Sequence, residues 1–279
     1  MTISIADWRY QSKKILSEIS ETADIEVNAI LCQVLDNDLA WCLANSETVL
    51  DQSKVIDLNQ KMNSLMAGVP LPYVLGKVDF FGYQFFVDEN VLIPRPETEL
   101  LVETAIEWIN QHEKTKKVVD VGCGSGAIII SLLNHFSEIE GLGIDISRGA
   151  LNVSSKNKNF HDIHHLEFVQ MDCLSGICSK FDVIVANLPY IPEDYLNDLN
   201  VSNFEPSLAL NGGKDGLMII NKLVEQLSPL LNSPGLALLE IQYDQSARIV
   251  QRIRDYIPTA VISILKDYSS HDRILKIEV

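Results

Sequence analysis

Val118-Val119-Asp120-Val121-Gly122-Cys123-Gly124-Ser125-Gly126-Ala127 decides the fold class of this chain. The first four residues are a β-branched apolar run broken by one acid, which reads as a buried strand. Three alternate glycines then make a tight turn, and the apolar stretch Ala127 to Asn134 continues as a helix. A strand that turns through glycines into a helix is the opening of a βαβ unit. The same alternation continues outward. Gly141 to Asp145 reads as a second strand, with a helix near Ala150 to Asn157. Leu166 to Val169 reads as a third strand and Phe181 to Ala186 as a fourth. A helix near Gly216 to Leu230, the strand Leu236 to Ile241, a helix from about Gln245 to Ile253, and the strands Val261 to Leu265 and Arg273 to Ile277 follow. Such a series predicts an α/β, doubly wound, mostly parallel sheet.

Upstream the pattern differs. Residues 1 to about 70 show helical spacing, as in Trp8, Ile15, Leu16 and Ile19, in Val27, Ile30, Leu31, Val34 and Leu35, and in Val55, Leu58, Met62, Leu65 and Met66. Met62, Met66 and the tryptophans are expected in the core. Gly68-Val69-Pro70-Leu71-Pro72 is a breaker cluster. Beyond it, aromatic residues flank Gly82 from Phe80 to Val87, which predicts a β-hairpin or bent strand. Ile93-Pro94-Arg95-Pro96-Glu97 reads as rigid and extended, with Pro96 opening a helix through Leu100 and Trp108. The expected division is a small helical domain at 1–74, a β-hairpin linker at 75–95 and an α/β domain at 96–279.

Composition narrows the class of partner. The chain has 279 residues and is 47% hydrophobic, with 38 acidic against 22 basic residues and a net charge of −16. That balance opposes non-specific contact with a phosphate backbone and favours a protein or small-molecule partner. The five cysteines form no C-x-x-C pair, as expected of reduced thiols in the cytoplasm. No apolar run is long enough to span a bilayer, so no membrane role is expected.

Four places carry chemistry. In Gly122-Cys123-Gly124-Ser125-Gly126 the glycines allow close approach of a ligand. With Ala127 they also satisfy the dinucleotide fingerprint, so the loop alone does not separate a nicotinamide cofactor from S-adenosylmethionine. Asp145 ends the second strand about 20 residues later, where a carboxylate accepts from ribose hydroxyls or caps the next helix. After the third strand, Asp172 can accept from an adenine amino group and Cys173 can donate its backbone N–H. Asn187-Leu188-Pro189-Tyr190 follows the fourth strand. There an Asn oxygen and the Leu188 carbonyl can hold a planar NH2, with Tyr190 offering a flat face. His161, His164 and His165 complete no recognised metal-ligand spacing, and no metal is expected.

These residues resemble those of the bacterial protein-(glutamine-N5) methyltransferases that modify peptide chain release factors. The resemblance spans nearly the whole chain. It rests on Leu71 to Gly76, Val91-Leu92-Ile93-Pro94-Arg95-Pro96-Glu97-Thr98-Glu99, Asp120 to Ala127, Asn187 to Tyr190, Phe204-Glu205-Pro206-Ser207-Leu208-Ala209-Leu210, and Asp215-Gly216-Leu217. It implies a seven-stranded Rossmann-like methyltransferase sheet behind a helical substrate-recognition domain. Further, it implies that S-adenosylmethionine, or its product S-adenosylhomocysteine, is held by Gly122 to Gly126, Asp145, Cys173 and Asn187. Asn187 to Tyr190 would then hold the glutamine of the release factor's Gly-Gly-Gln loop. Two departures stand out, Leu188 for the family's usual proline and Gln242 for its usual glycine. Asn-Leu-Pro-Tyr is also the form seen in ribosomal-RNA adenine-N6 dimethyltransferases, so adenine methylation in RNA is the alternative. A nicotinamide oxidoreductase and a non-catalytic adaptor are the rivals from other classes.

Overall fold

The structure is a computed structural model that describes residues 3–198 and 204–279. The chain divides into two compact units, one up to Gly76 and one from Lys77 to Val279.

The first unit has five helices, α1 (Ile5–Leu16), α2 (Ala23–Leu35), α3 (Leu39–Ala44), α4 (Gln52–Met66) and α5 (Leu71–Leu75). Trp8, Leu16, Val27, Ile30, Leu31 and Leu58 form its core. Trp8 buries its ring and still satisfies its indole N–H on Asn59 Oδ1 at 3.0 Å. Four residues expected in the core lie outside it. Ile15, Ile19, Trp41 and Met66 are exposed: Ile15 and Met66 lie on the solvent side beside the buried Leu16 and Leu65, Trp41 beside the buried Cys42, and Ile19 beyond the end of α1. The Gly68–Pro72 cluster breaks the chain only at its start. From Leu71 it forms α5, and the turn comes at Gly76, in the left-handed region with φ +70°.

The second unit begins with a hairpin, β1 (Lys77–Phe80) and β2 (Tyr83–Phe86), turning through Phe81 and Gly82, both at positive φ. The hairpin was expected as a linker. It belongs instead to the second unit, since Phe80 and Phe85 are buried in that unit's core. A single 3-10 turn at Pro96–Thr98 leads into α6 (Glu99–Gln111).

The alternation then runs β3 (Lys117–Val121), α7 (Ala127–His135), β4 (Glu140–Asp145), α8 (Arg148–Phe160), β5 (Leu166–Gln170) and β6 (Phe181–Ala186). After it come α9 (Ser207–Leu210), α10 (Met218–Leu230), β7 (Leu231–Glu240), α11 (Ser246–Tyr256), β8 (Val261–Lys266) and β9 (Asp272–Glu278). The strands form one seven-stranded sheet in the order β5-β4-β3-β6-β7-β9-β8. Strands β3 to β7 are parallel, and β9 runs antiparallel between β7 and β8. Strand order reverses between β3 and β6, the switch point where open α/β sheets form a crevice. Alternate residues serve two cores. Val119, Val121, Ile184 and Ala186 face one side, and Val118, Val183 and Val185 face the other. Among the described residues no helix is long and apolar enough to cross a membrane.

Asp120 is the exception within β3. It is fully buried, and neither oxygen has a well-formed hydrogen-bond partner. Burial pushes its carboxyl up to about 8, with the Ile129 amide offsetting part of the shift. The folded protein therefore holds a neutral carboxylic acid here, whereas the unfolded chain ionises near its ordinary 3.8. The contribution to stability is complete below that ordinary value and is lost as pH rises toward 8. Relative to the wild type, Asp120→Asn should gain about 2–4 kcal/mol of stability between about pH 5 and pH 8. Hydrogen exchange of the β3 amides measures this. An equal difference at both pH values would mean that Asp120 is ionised throughout.

Candidate active site

Three strand ends meet at the switch point. In register, Val121 of β3 lies opposite Ile144 of β4 and Ala186 of β6. The next residues, Gly122, Asp145 and Asn187, therefore leave the sheet side by side, and all three line one cleft.

The glycine loop is fixed by backbone bonds. The N–H groups of Gly122 and Cys123 both donate to the Ile144 carbonyl, at 2.7 and 2.9 Å. Gly124 has φ +54°, and a Cβ placed there would meet nothing within 4 Å. Glycine is needed at this position for its backbone and leaves open space on the cleft side. The Gly124 N–H donates to Asp145 Oδ2 at 2.9 Å, and the Ser147 N–H to Asp145 Oδ1 at 2.8 Å. Asp145 thus ties the loop to its own strand end. The capping of α8 falls to Ser147, whose hydroxyl accepts from Ala150 N–H. A carboxylate has about four acceptor positions, so Asp145 keeps capacity for further donors. Its burial raises its pKa. Ser125 is buried and its carbonyl accepts from Asn157 Nδ2 at 2.8 Å. The fully buried Asn157 amide also exchanges two bonds with the Phe86 backbone, so α8 clamps the hairpin to the loop. No sequence pattern singled out Asn157.

Asp172 and Cys173 also line the cleft. The Asp172 carboxylate is paired with Lys222 of α10, a partner that sequence reading missed. Burial pushes the Cys173 thiol up to about 11, which leaves it unreactive, and its backbone takes φ +52°.

Asn187 Nδ2 donates to Thr98 Oγ1 at 3.1 Å, and the Thr98 hydroxyl donates to Glu240 Oε2 at 2.7 Å. The Asn187 carbonyl oxygen is thereby turned away from Thr98. Leu188 and Pro189 line the cleft too. Leu188 is buried, and its Cδ2 lies 2.9 Å from where a Cβ on Gly122 would stand, so the leucine fills the space above that glycine. Tyr190 departs from expectation. It is not among the cleft-lining residues, and its hydroxyl reaches toward Glu240 Oε1 at 3.5 Å. The Tyr190 carbonyl accepts from Gln245 Nε2. It also lies 2.2 Å from where a Cβ on Gly216 would stand, which accounts for glycine in Asp215-Gly216-Leu217. Gln242 shapes the turn into α11, donating its N–H to Gln245 Oε1.

Two of the segments that carried the resemblance are bound to each other. Glu205 is buried, accepts from Ile93 N–H at 3.1 Å, and pairs with Arg95. This bond brings Pro94, Arg95, Pro206 and Leu208 onto the cleft wall. The histidines lie elsewhere. His161 Nε2 bonds to the Gln84 carbonyl, and His164 faces Asp162 at the surface. Among the described residues no group of three or more His, Cys, Asp or Glu could hold a metal.

Residues 7–76 match the PrmC N-terminal domain family, and residues 96–204 match the methyltransferase small domain family. The release factor glutamine methyltransferase of Clostridium acetobutylicum is 33% identical over 282 residues, 98% of each chain. That of Clostridium botulinum is 33% identical over 258 residues, 90% of each chain. Among solved structures, the hMettl16 catalytic domain in complex with the MAT2A 3'UTR hairpin 6 aligns with a TM-score of 0.57 at 13% identity. It covers 83% of this chain and 84% of its own, which shows a shared fold. With one-third identity across nearly the full length of these relatives, the chain belongs to the release factor glutamine methyltransferase family.

Proposed function

We propose that this protein transfers a methyl group from S-adenosylmethionine to the side-chain amide nitrogen of the glutamine in a release factor's Gly-Gly-Gln loop. The observation that carries the reading is the convergence of Gly124, Asp145 and Asn187 on one cleft, with the Asn187 amide nitrogen committed to Thr98. Family membership supplies the choice of substrate. The net charge of −16 favours a protein over the RNA alternative.

The residues present fit the cofactor. Open space beside Gly124 admits a ligand against the backbone, and Asp145 retains acceptor positions for ribose hydroxyls. Gly122, Cys123 and Ser125 line the same cleft with Asp172, Cys173 and Asn187, whereas Gly126, expected at the cofactor, lies off it, where a Cβ would meet Ile130, Ser154 and Phe168. When bound, S-adenosylmethionine supplies an electrophilic methyl group on a sulfonium sulfur. An amide nitrogen is a poor nucleophile because its lone pair is delocalised, so the protein's contribution is aim. Asn187 Oδ1 and the Leu188 carbonyl accept the two N–H groups of the glutamine and hold its nitrogen in line. Both oxygens also stabilise the positive charge that develops there. The proton that the nitrogen sheds passes to water. Tyr190 supports this turn from beneath through its hydroxyl and carbonyl. The helical unit up to Gly76 contributes to recognition of the release factor, a role supported by its match to the family's N-terminal domain.

Mass spectrometry of a release factor incubated with the protein and S-adenosylmethionine tests the reading. One added methyl group on the Gly-Gly-Gln glutamine is expected, and label in RNA with none in the release factor would overturn it. Asn187→Ala should lower kcat on the order of a hundredfold while changing cofactor affinity much less. Asp145→Ala should weaken binding of S-adenosylhomocysteine by about 1–3 kcal/mol, since it unpairs ribose hydroxyls and releases Gly124. Calorimetry with unchanged affinity would remove Asp145 from the cofactor site.

A further inference from the structure

Behind Asn187 lies a chain of hydrogen bonds that the transfer step itself does not use. Asn187 Nδ2, Thr98 Oγ1 and Glu240 Oε2 are joined at 3.1 and 2.7 Å, and Tyr190 OH stands 3.5 Å from Glu240 Oε1. Thr98 ends the 3-10 turn before α6, and Glu240 is the last residue of β7. Both are buried, at 3% and 1% exposure, so neither side chain can exchange these partners for water.

The chemistry of the three groups fixes the direction of the chain. A carboxylate only accepts, so the single Thr98 hydrogen goes to Glu240. The Thr98 oxygen is then left as an acceptor, and only the NH2 end of Asn187 can serve it. The Asn187 oxygen is consequently the end available to a substrate amide. Protonation of Glu240 lifts that constraint, because its O–H can donate to Thr98 while its C=O can still accept. When that O–H donates to Thr98, the Thr98 hydrogen is free to turn to Asn187, and the Asn187 amide can rotate to offer its oxygen to Thr98. The cleft then faces an NH2 group that cannot accept from the NH2 of a glutamine.

We propose that Glu240 is a positioning residue whose carboxylate, acting through the Thr98 hydroxyl, sets which end of the Asn187 amide faces the substrate. This rests on the glutamine-methylation reading and adds a control on it. Burial, the largest influence, raises the Glu240 carboxyl from its ordinary 4.5 to about 7. The groups around it are few. Arg273 on β9 favours its ionisation, Glu97 in the 3-10 turn opposes it, and the hydroxyls of Thr98 and Tyr190 stabilise the carboxylate. Arg95 acts on Tyr190 from the cleft wall, and Arg273 is itself paired with Asp267. Ionisation therefore falls where modest changes of pH alter the population with Asn187 correctly turned.

The test is the pH dependence of kcat with release factor as substrate, between about pH 6 and pH 8.5. The wild type should rise with a midpoint near that of Glu240. Glu240→Gln, which removes the titrating group while keeping an acceptor oxygen, should flatten the profile, and Thr98→Val should also lower kcat by about tenfold at the upper end, because a misdirected acceptor costs rate. Thr98→Ser, which keeps the hydroxyl, should restore the wild-type profile. Affinity for S-adenosylhomocysteine should change much less than kcat in all three, which separates positioning from loss of structure. A parallel measurement does not depend on turnover. In protein labelled with 15N-asparagine, the Asn187 side-chain signals, assigned by their loss in Asn187→Ala, should titrate in the wild type and cease to titrate in Glu240→Gln. If the wild type methylates glutamine but Glu240→Gln keeps the same pH profile, the relay is wrong and the function stands. If the wild type methylates no glutamine, the function is wrong and the Asn187 titration still decides whether the relay exists. Asn187 signals that do not move with pH overturn the relay in either case.

Discussion

The site depends on strand register. Parallel pairing of β3 with β4 on one side and β6 on the other sets Val121 opposite Ile144 and Ala186. A strand's side chains alternate between its two faces, so a slip of one residue would send every side chain of the slipped strand into the wrong core. It would also carry Gly122, Asp145 or Asn187 out of line with the other two. The two cores flanking the sheet therefore hold the cleft in place. Val119, Val121 and Ile184 on one face, and Val118, Val183 and Val185 on the other, are almost fully buried and tolerate no shift.

Around this frame, buried polar groups join segments far apart in sequence. Asn157 clamps the hairpin to the glycine loop through the backbones of Phe86 and Ser125. Glu205 holds the Ile93–Arg95 segment across more than a hundred residues of chain. Thr98 and Glu240 support the turn at Asn187. Each is a polar side chain taken out of water and satisfied by specific partners, an arrangement that penalises alternative packings because an unpaired buried group costs about 1–3 kcal/mol. Ligand binding and transfer then need little rearrangement of the scaffold, which is the condition for catalysis by positioning.

Much of this was legible in the sequence. The glycine loop between an apolar strand and an apolar helix is a local signal, and so are the strand ends that carry Asp145 and Asn187. What was not legible depends on contacts between distant residues. No spacing shows that Glu240 meets Thr98, or that Glu205 meets Arg95, because both pairs form only once β7 and the segment after β6 have taken their places. Tyr190 looked like a stacking residue by its type. Its hydroxyl is drawn to the buried Glu240 instead. Likewise the aromatic hairpin read as a linker because the proline- and glycine-rich stretch before it suggested a break. The burial of Phe80 and Phe85 makes it part of the α/β unit. Local patterns report elements and turns, whereas the partners of buried polar groups follow from the assembled sheet.

The most direct measurement of the central claim is a crystal structure of the protein with S-adenosylhomocysteine and a Gly-Gly-Gln peptide from a release factor. The ribose should lie on Asp145 and the glutamine amide nitrogen within hydrogen-bond distance of Asn187 Oδ1 and the Leu188 carbonyl, in the same cleft. A glutamine bound away from Asn187, or a cofactor that makes no contact with Asp145, would contradict it.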